Sequence, residues 1–536
     1  KSLEIRLNFE SSCAKDAETI RYYDREIRKG YLKKSALRYY YVMGFGKRKD
    51  KIRSVPDEYR HMFYRHFELR ADIKKKANGL IMLRRKNPEV AARVLGVDAF
   101  SSEDGCRPEV FATAYRVLKK HSSYRGLSIK PELPQLRETY HVGESFTDIL
   151  DGLRAIDEAV HFLNLDCGDR LGHATVLGMD VEKWYRDCNY RFTIRRQDYL
   201  DNIVWLYHKL LRYSIPDTDT LMQYLEGEFE KFFALVYRKF MGEKYIQNVA
   251  KNACKYDNGY KSQYGIIEET GTADVEDRGQ EKKKVYDFSY GIVRKKDGSI
   301  YDFNIRNYYF SWTLRGDHPG LYENGFYEQN FNVKSIWDEC SVNRTFPNDQ
   351  RIRHILPAAV LNHFYHFNEY VKQSGEITET VHIPANMVKA IAMVQKEMQF
   401  ELEQREIAIE TNPSSNLMIN RISSYAEHPI FQLYNKGLTN DPEKLAACPQ
   451  MNVSINTDDQ GVFSTCLSNE YALVASSLSR VKDSNKKHVY KKEEIYQWIK
   501  NVQEMGNNQS FLRRETEDEQ EDAGVYHTFD GSEDDW

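Results

Sequence analysis

Three apolar stretches of this chain each stop at a side chain able to bind a metal or move a proton. They are Tyr140-His141-Val142-Gly143-Glu144, Arg170-Leu171-Gly172-His173-Ala174 and Asn456-Thr457-Asp458-Asp459-Gln460. Each reads as a strand giving way to a loop. Polar residues gathered at the carboxyl ends of strands are what a (β/α)8 barrel uses to build its site, so this pattern constrains the fold more than any other. Two histidines, a glutamate and an aspartate pair, in that chain order, point to one metal site that activates water. Glu410-Thr411-Asn412-Pro413-Ser414-Ser415-Asn416 and His428-Pro429 lie between the second and third stretches.

The intervening pattern agrees with a barrel. Leu3–Leu7 and Val94–Asp98 read as buried strands. Between Phe146 and Leu163 the apolar residues Ile149, Leu150, Leu153, Ile156, Ala159, Val160 and Leu163 cover one face of a helix. Pro108 to Lys120 reads as a helix with proline in its first turn. Strands alternating with helices imply a parallel sheet with crossover helices. The expected organisation is a barrel over 1–175 and 397–510, with a large α+β insertion over 176–396 and an acidic tail over 511–536.

Residues 21–88 form a basic stretch, with 21 Lys/Arg against 7 Asp/Glu, interleaved with tyrosine and phenylalanine. It reads as helical. Its aromatics suit either a nucleic-acid surface or the core of amphipathic helices. Within the insertion, Gln197–Phe240 reads as helical and Glu268–Lys284 as a charged loop. Residues 285–305 read as a hairpin around Lys296-Asp297-Gly298. His363 and His366 stand three apart in an aromatic helical stretch; without a carboxylate partner they read as packing. The tail from Glu515 has ten acidic residues and no Lys or Arg, which fits a charged arm.

Composition excludes several classes. At 536 residues, with 41% hydrophobic and 29% charged side chains, the chain is globular with room for two or three domains. Its eight cysteines are scattered singly, as in a reduced cytoplasmic protein rather than a disulfide scaffold. No run of about 18 apolar residues predicts a membrane helix.

The order of motifs resembles the adenosine and AMP deaminase family of zinc hydrolases. In that family one strand ends in His-Ala-Gly-Glu and the next in Arg-(Ile/Leu)-Gly-His-Gly. An Asn-Pro-x-Ser-Asn segment, a His-Pro helix and a Thr-Asp-Asp-Pro strand end follow. The matching positions are 141–144, 170–174, 412–416, 428–429 and 457–460, with Phe463-Ser464-Thr465 and Asn469-Glu470-Tyr471 beyond them. Leu3–Leu7 resembles the family's third strand and Val94–Asp98 its fourth, so the likeness covers about half of the chain. The chain departs from the pattern at Ala174 and Gln460, where the family has glycine and proline. It departs also at Phe100-Ser101-Ser102, where a family glycine meets the purine. No His-x-His strand precedes these motifs, and the expectation is that strands one and two lie upstream of Lys1.

The resemblance implies roles. His141 and Asp458 would ligate Zn2+, and His173 would meet the attacking water and take its proton. Asp459 would accept a hydrogen bond from the purine. Glu144 would protonate the ring as water attacks C6, a task for a carboxylic acid with a raised pKa. Each also has an ordinary use. A strand-end histidine is often structural, an Asp-Asp pair is often a turn, and Glu144 precedes a helix whose dipole favours it. Ser414, Ser415 and Asn416 read as loop formers, and His428-Pro429 as a helix start.

The long segment between the second and third motifs narrows the resemblance to the deaminase subunits of the RADAR phage-defence system. That implies adenosine in RNA, or ATP and dATP, as substrate. It also implies a large shell-like homo-oligomer and an AAA+-type ATPase partner, with no membrane involved. The competing expectation is a catalytically inactive scaffold on a decayed barrel.

Overall fold

The computed structural model describes residues 2–10, 12–30, 38–50, 63–122, 133–237, 292–294, 300–323, 327, 333–344, 350–420 and 422–512. Eleven strands occur among them: β1 (Ser2–Asn8), β2 (Arg38–Gly46), β3 (Val94–Phe100), β4 (Arg137–Val142), β5 (Arg170–His173), β6 (Arg191–Arg195), β7 (Ile292–Arg294), β8 (Ile300–Asp302), β9 (Thr378–His382), β10 (Ala408–Thr411) and β11 (Val453–Ile455). Seven form one sheet in the order β1-β2-β3-β4-β5-β10-β11. Every neighbouring pair in it is parallel. The fold is mixed α/β, with β1 and β11 at the two edges of the sheet.

One reading of the sequence is corrected. The basic stretch 21–88 was expected to be helical throughout, but residues 38–46 form β2, which pairs with β1 along its length. Helices Cys13–Gly30 and Phe67–Lys86 flank it. Tyr40 to Phe45 are buried without a break, so the strand shows no alternation, and its lysine-rich surroundings hide it. Consequently Leu3–Leu7 and Val94–Asp98 are not consecutive strands; β2 lies between them.

Helix Ile149–Leu163 fills the crossover from β4 to β5. Asp148 caps it by accepting the Asp151 N–H at 3.2 Å, and Asn164 ends it in a left-handed conformation (φ 72°). The sequence predicts one apolar face, yet the whole helix is buried. Residues from the middle of the chain cover its polar face. Trp312 Nε1 donates to Glu158 at 2.9 Å, and Lys209 Nζ to Asp157 at 2.8 Å. Phe162 packs on Trp312 with ring centroids 5.5 Å apart. These buried charges are held in pairs, as desolvation requires.

The middle of the chain carries helices Arg196–Arg212 and Asp219–Val236, the antiparallel pair β6–β9 and the antiparallel pair β7–β8. The charged loop 268–284, the turn 296–298 and the acidic tail from 515 lie outside the described residues. No helix among the described residues is long and apolar enough to cross a membrane.

Candidate active site

The carboxyl ends of β4, β5 and β11 place three acid–base side chains around one point. β4 delivers His141 as its penultimate residue, then Gly143 turns the chain with φ +75°. A side chain at 143 would meet Val176 Cγ1 at 2.9 Å, so glycine is required sterically as well as conformationally. The turn presents Glu144. Glu103, from the loop after β3, holds the turn by accepting three consecutive backbone N–H groups, those of Gly143, Glu144 and Ser145, at 2.9, 3.0 and 2.9 Å.

β5 ends at His173, whose backbone is left-handed (φ 63°), as is that of Ala174 (φ 43°). Asp458, after β11, shares this conformation (φ 54°). Positive φ at two non-glycine residues bearing site side chains stores strain of the kind found at functional sites.

Glu144 Oε1 lies 2.8 Å from His173 Nδ1, and His173 Nε2 lies 3.9 Å from Asp458 Oδ2. The rings of His141 and His173 have centroids 4.9 Å apart. His173 is buried, which alone lowers an imidazole pKa. The hydrogen bond and charge of Glu144, with the charges of Asp458 and Glu103, outweigh burial and hold it above its ordinary value. Asp459 is placed apart from this group. Its Oδ1 caps the short helix Gln460–Phe463 by accepting the Gly461 and Val462 N–H groups at 3.1 and 3.2 Å.

His141 has its own partners. Its Nδ1 is 3.0 Å from Asp98 Oδ1, a contact that fixes the orientation of the ring. The guanidinium of Arg6 lies beside the ring, with Nη1 3.2 Å from Nε2 and 2.8 Å from Asp98 Oδ2. Burial would push Asp98 up, but His141 and Arg6 keep its carboxyl far below the usual carboxylate range. Arg6 also pairs with Glu410, which Arg170 approaches from the other side at 2.7 Å. Lys47 donates to the His141 carbonyl.

Sequence reasoning named Asn416 and His428 but gave them only loop and helix-start roles. His428 is fully buried; its Nδ1 accepts the Ile430 N–H at 3.2 Å, so Nε2 carries the proton and donates to Asn416 Oδ1 at 3.1 Å. Burial and the charge of His173 pull His428 down to about 3, which keeps it neutral. Asn416 is thereby oriented with Nδ2 toward Glu144 Oε1, at 3.1 Å. The same Nδ2 is 2.9 Å from His173 Nδ1. An amide donor there leaves Glu144 and His173 to share one proton between them. Arg6, Asp98 and Glu103 carried no sequence signal beyond their strand and loop positions.

Glu144, His173 and Asp458 offer ligand atoms that all lie within 4.8 Å of one another. A mixed nitrogen and carboxylate donor set of this size fits zinc. The ligand pair expected from the sequence, His141 and Asp458, overlaps this group only in Asp458.

No protein-family model matches the chain. A 70-residue stretch is 36% identical to an adenosine deaminase of Plasmodium gallinaceum; it spans 13% of this chain and 16% of that relative's length. A solved amidohydrolase from Burkhoderia ambifaria, with bound Zn, is similar over 35% of this chain and 40% of its own, at 16% identity and a TM-score of 0.20.

Proposed function

We propose that this chain is a zinc-dependent hydrolase that converts the adenine amino group to a carbonyl, releasing ammonia. The observation that carries the reading is the pairing of Glu144 with one nitrogen of His173 while Asp458 faces the other. The likeness to an adenosine deaminase over 70 residues supports it. The reading includes a (β/α)8 ring to which the seven parallel strands belong.

Asp458 and His141 would hold zinc, with Glu144 and His173 beside them. Zinc lowers the pKa of bound water from 15.7 toward about 7. His173 takes the proton of the attacking water at Nε2, the edge that faces Asp458. As Nε2 gains that proton, the proton between Nδ1 and Glu144 passes to Glu144, which Asn416 holds, and Glu144 delivers it to the purine ring nitrogen next to C6 as charge builds there. On this reading both groups act from one side of a flat base.

The substrate under this reading is adenosine in RNA, or ATP and dATP. The setting is an anti-phage assembly, formed by a homo-oligomeric shell of this chain with an AAA+-type ATPase. Inosine and ammonia release from each substrate, measured on the full-length protein with zinc, tests the chemistry. Glu144→Ala, His141→Ala and Asp458→Asn should each abolish it. Activity that survives all three ends the assignment.

One observation favours a second reading, a shell protein without catalysis. Arg6 Nη1 lies 3.3 Å from His141 Nδ1 and 3.2 Å from Nε2, so a cation sits against the ring of an expected metal ligand and would repel a metal ion. Metal analysis of the purified full-length protein separates the two: stoichiometric zinc removes the second reading.

A further inference from the structure

The seam between β3 and β4 closes differently from the seams on either side of it. Main-chain pairing there covers only Gly96 with Arg137 and Val97 with Glu138. Beyond those pairs, β3 stays paired with β2 as far as Phe100, and β4 stays paired with β5 as far as Val142. The two strands therefore part at their carboxyl ends, where the candidate site stands. Buried N–H and C=O groups along such a gap still need partners.

Side chains supply them. Tyr115, on helix Ala112–Lys120, donates its hydroxyl to the Thr139 carbonyl at 2.9 Å. Asp98 Oδ1 accepts the Ala99 N–H at 2.7 Å and lies 3.0 Å from His141 Nδ1. Glu103 takes the three N–H groups just beyond β4. The His141 carbonyl receives Lys47 Nζ.

Lys47 follows directly on β2, and its own N–H donates to the Phe100 carbonyl at 2.9 Å. Its side chain thus reaches past the end of β3 to β4. Side chains alternate between the two faces of a strand. Phe45 packs against Tyr115 behind the sheet, and Lys47 continues the row of Phe45. Nζ lies 4.3 Å from the centre of the Tyr140 ring, whose face is opposite to that of the His141 imidazole. Lys47 is only 5% exposed. An amine at that depth costs desolvation that an aliphatic side chain would not. What it adds is a donor long enough to meet the one carbonyl that the parted strands leave over, and the N–H donates whether or not the amine is charged.

We propose that Lys47 is a positioning residue of the strand-end site, fixing the main chain at His141 and, through it, the turn that presents Glu144. It acts from behind the strand. Its effect on turnover rests on the deaminase reading; its effect on the main chain does not.

The test is hydrogen exchange on the full-length protein, read at single amides. Lys47→Met keeps the aliphatic stem and removes the donor. Exchange at Gly143, Glu144 and Ser145 should quicken by roughly tenfold, the worth of one hydrogen bond. The Asn456 amide, bonded to the Thr411 carbonyl elsewhere in the sheet, should keep its rate. Lys47→Arg, which can still donate, should recover part of the protection. Lys47→Gln, whose donor stands one bond nearer the backbone, serves where the methionine variant fails to fold. With zinc present, kcat for inosine formation should fall about 10–100-fold in Lys47→Met, with KM within about twofold, and should recover in Lys47→Arg. Unchanged exchange at 143–145 in a folded variant overturns the proposal. So does a rise that Asn456 shares equally, which would make Lys47 a support of the whole fold. If the unsubstituted protein forms no inosine, the deaminase reading fails, and exchange at 143–145 still decides the role of Lys47.

Discussion

Glu144 Oε1 and His173 Nδ1 stand 2.8 Å apart, at hydrogen-bond distance between the ends of β4 and β5. Replacing Glu144 by glutamine keeps the shape and removes the acid. Deamination should fall by about 10²–10⁴-fold, the usual contribution of a positioned proton donor. The melting temperature should stay within a few degrees. Inosine formation followed by absorbance checks this, and a fall below tenfold would remove Glu144 from the chemistry.

His428 sets the orientation of Asn416 from a buried position that no substrate reaches. His428→Phe should lower turnover by about 10–100-fold, as loss of a supporting hydrogen bond does in comparable sites. Because the imidazole fixes the amide rather than touching substrate, the change should fall on kcat and on the pH profile, with KM little altered. His428→Gln, which can still donate, should recover part of the loss. A rise in KM with kcat intact would contradict the positioning role.

Arg6 neutralises Asp98 and Glu410 together. Arg6→Met would leave Asp98 paired only with His141 and Glu410 only with Arg170, and should destabilise the fold by about 3 kcal/mol. Asp98→Asn in the same chain should return part of that. Urea unfolding of the single and double variants measures the coupling. Independent, additive effects would mean that the three side chains do not act as a unit.

Asp148 is raised to about 7 by burial first and by the charge of Asp151, against hydrogen bonds from Tyr185 and the backbone. The folded state therefore holds its proton more tightly than the unfolded chain does. Stability from this group is fully present below the unfolded value of 3.8 and is lost as pH rises through about 7. The full swing is about 4 kcal/mol as an order of magnitude. Asp148→Asn keeps the helix cap and should flatten that part of the stability profile, making the variant the more stable protein at pH 8. Parallel profiles for the two proteins between pH 4 and 8 would refute this.

The strand ends were legible because chemistry is concentrated there. His141, Glu144, His173 and Asp458 follow apolar runs, and the structure brings Glu144, His173 and Asp458 to one point with His141 alongside. β2 was not legible, because a strand buried on both faces has no period of two and this one sits in lysine-rich sequence. The supporting groups were harder still. Asp98 lies within an apolar strand, Arg6 is one charge among many, and Asn416 and His428 acquire meaning only through the hydrogen bonds between them. The buried polar face of helix Ile149–Leu163 was hidden for the same reason, since its cover comes from residues 52 and 154 positions away in the chain.

The Glu103 clamp means that the aim of Glu144 is set from outside its own strand. A single carboxylate, some forty residues earlier, ties β3 to the turn after β4, so any slippage between those two strands swings Glu144 bodily. Lesions at 103 would therefore misdirect Glu144 in a protein that still folds, and whatever grips the neighbouring Asp104 has a lever on that carboxylate.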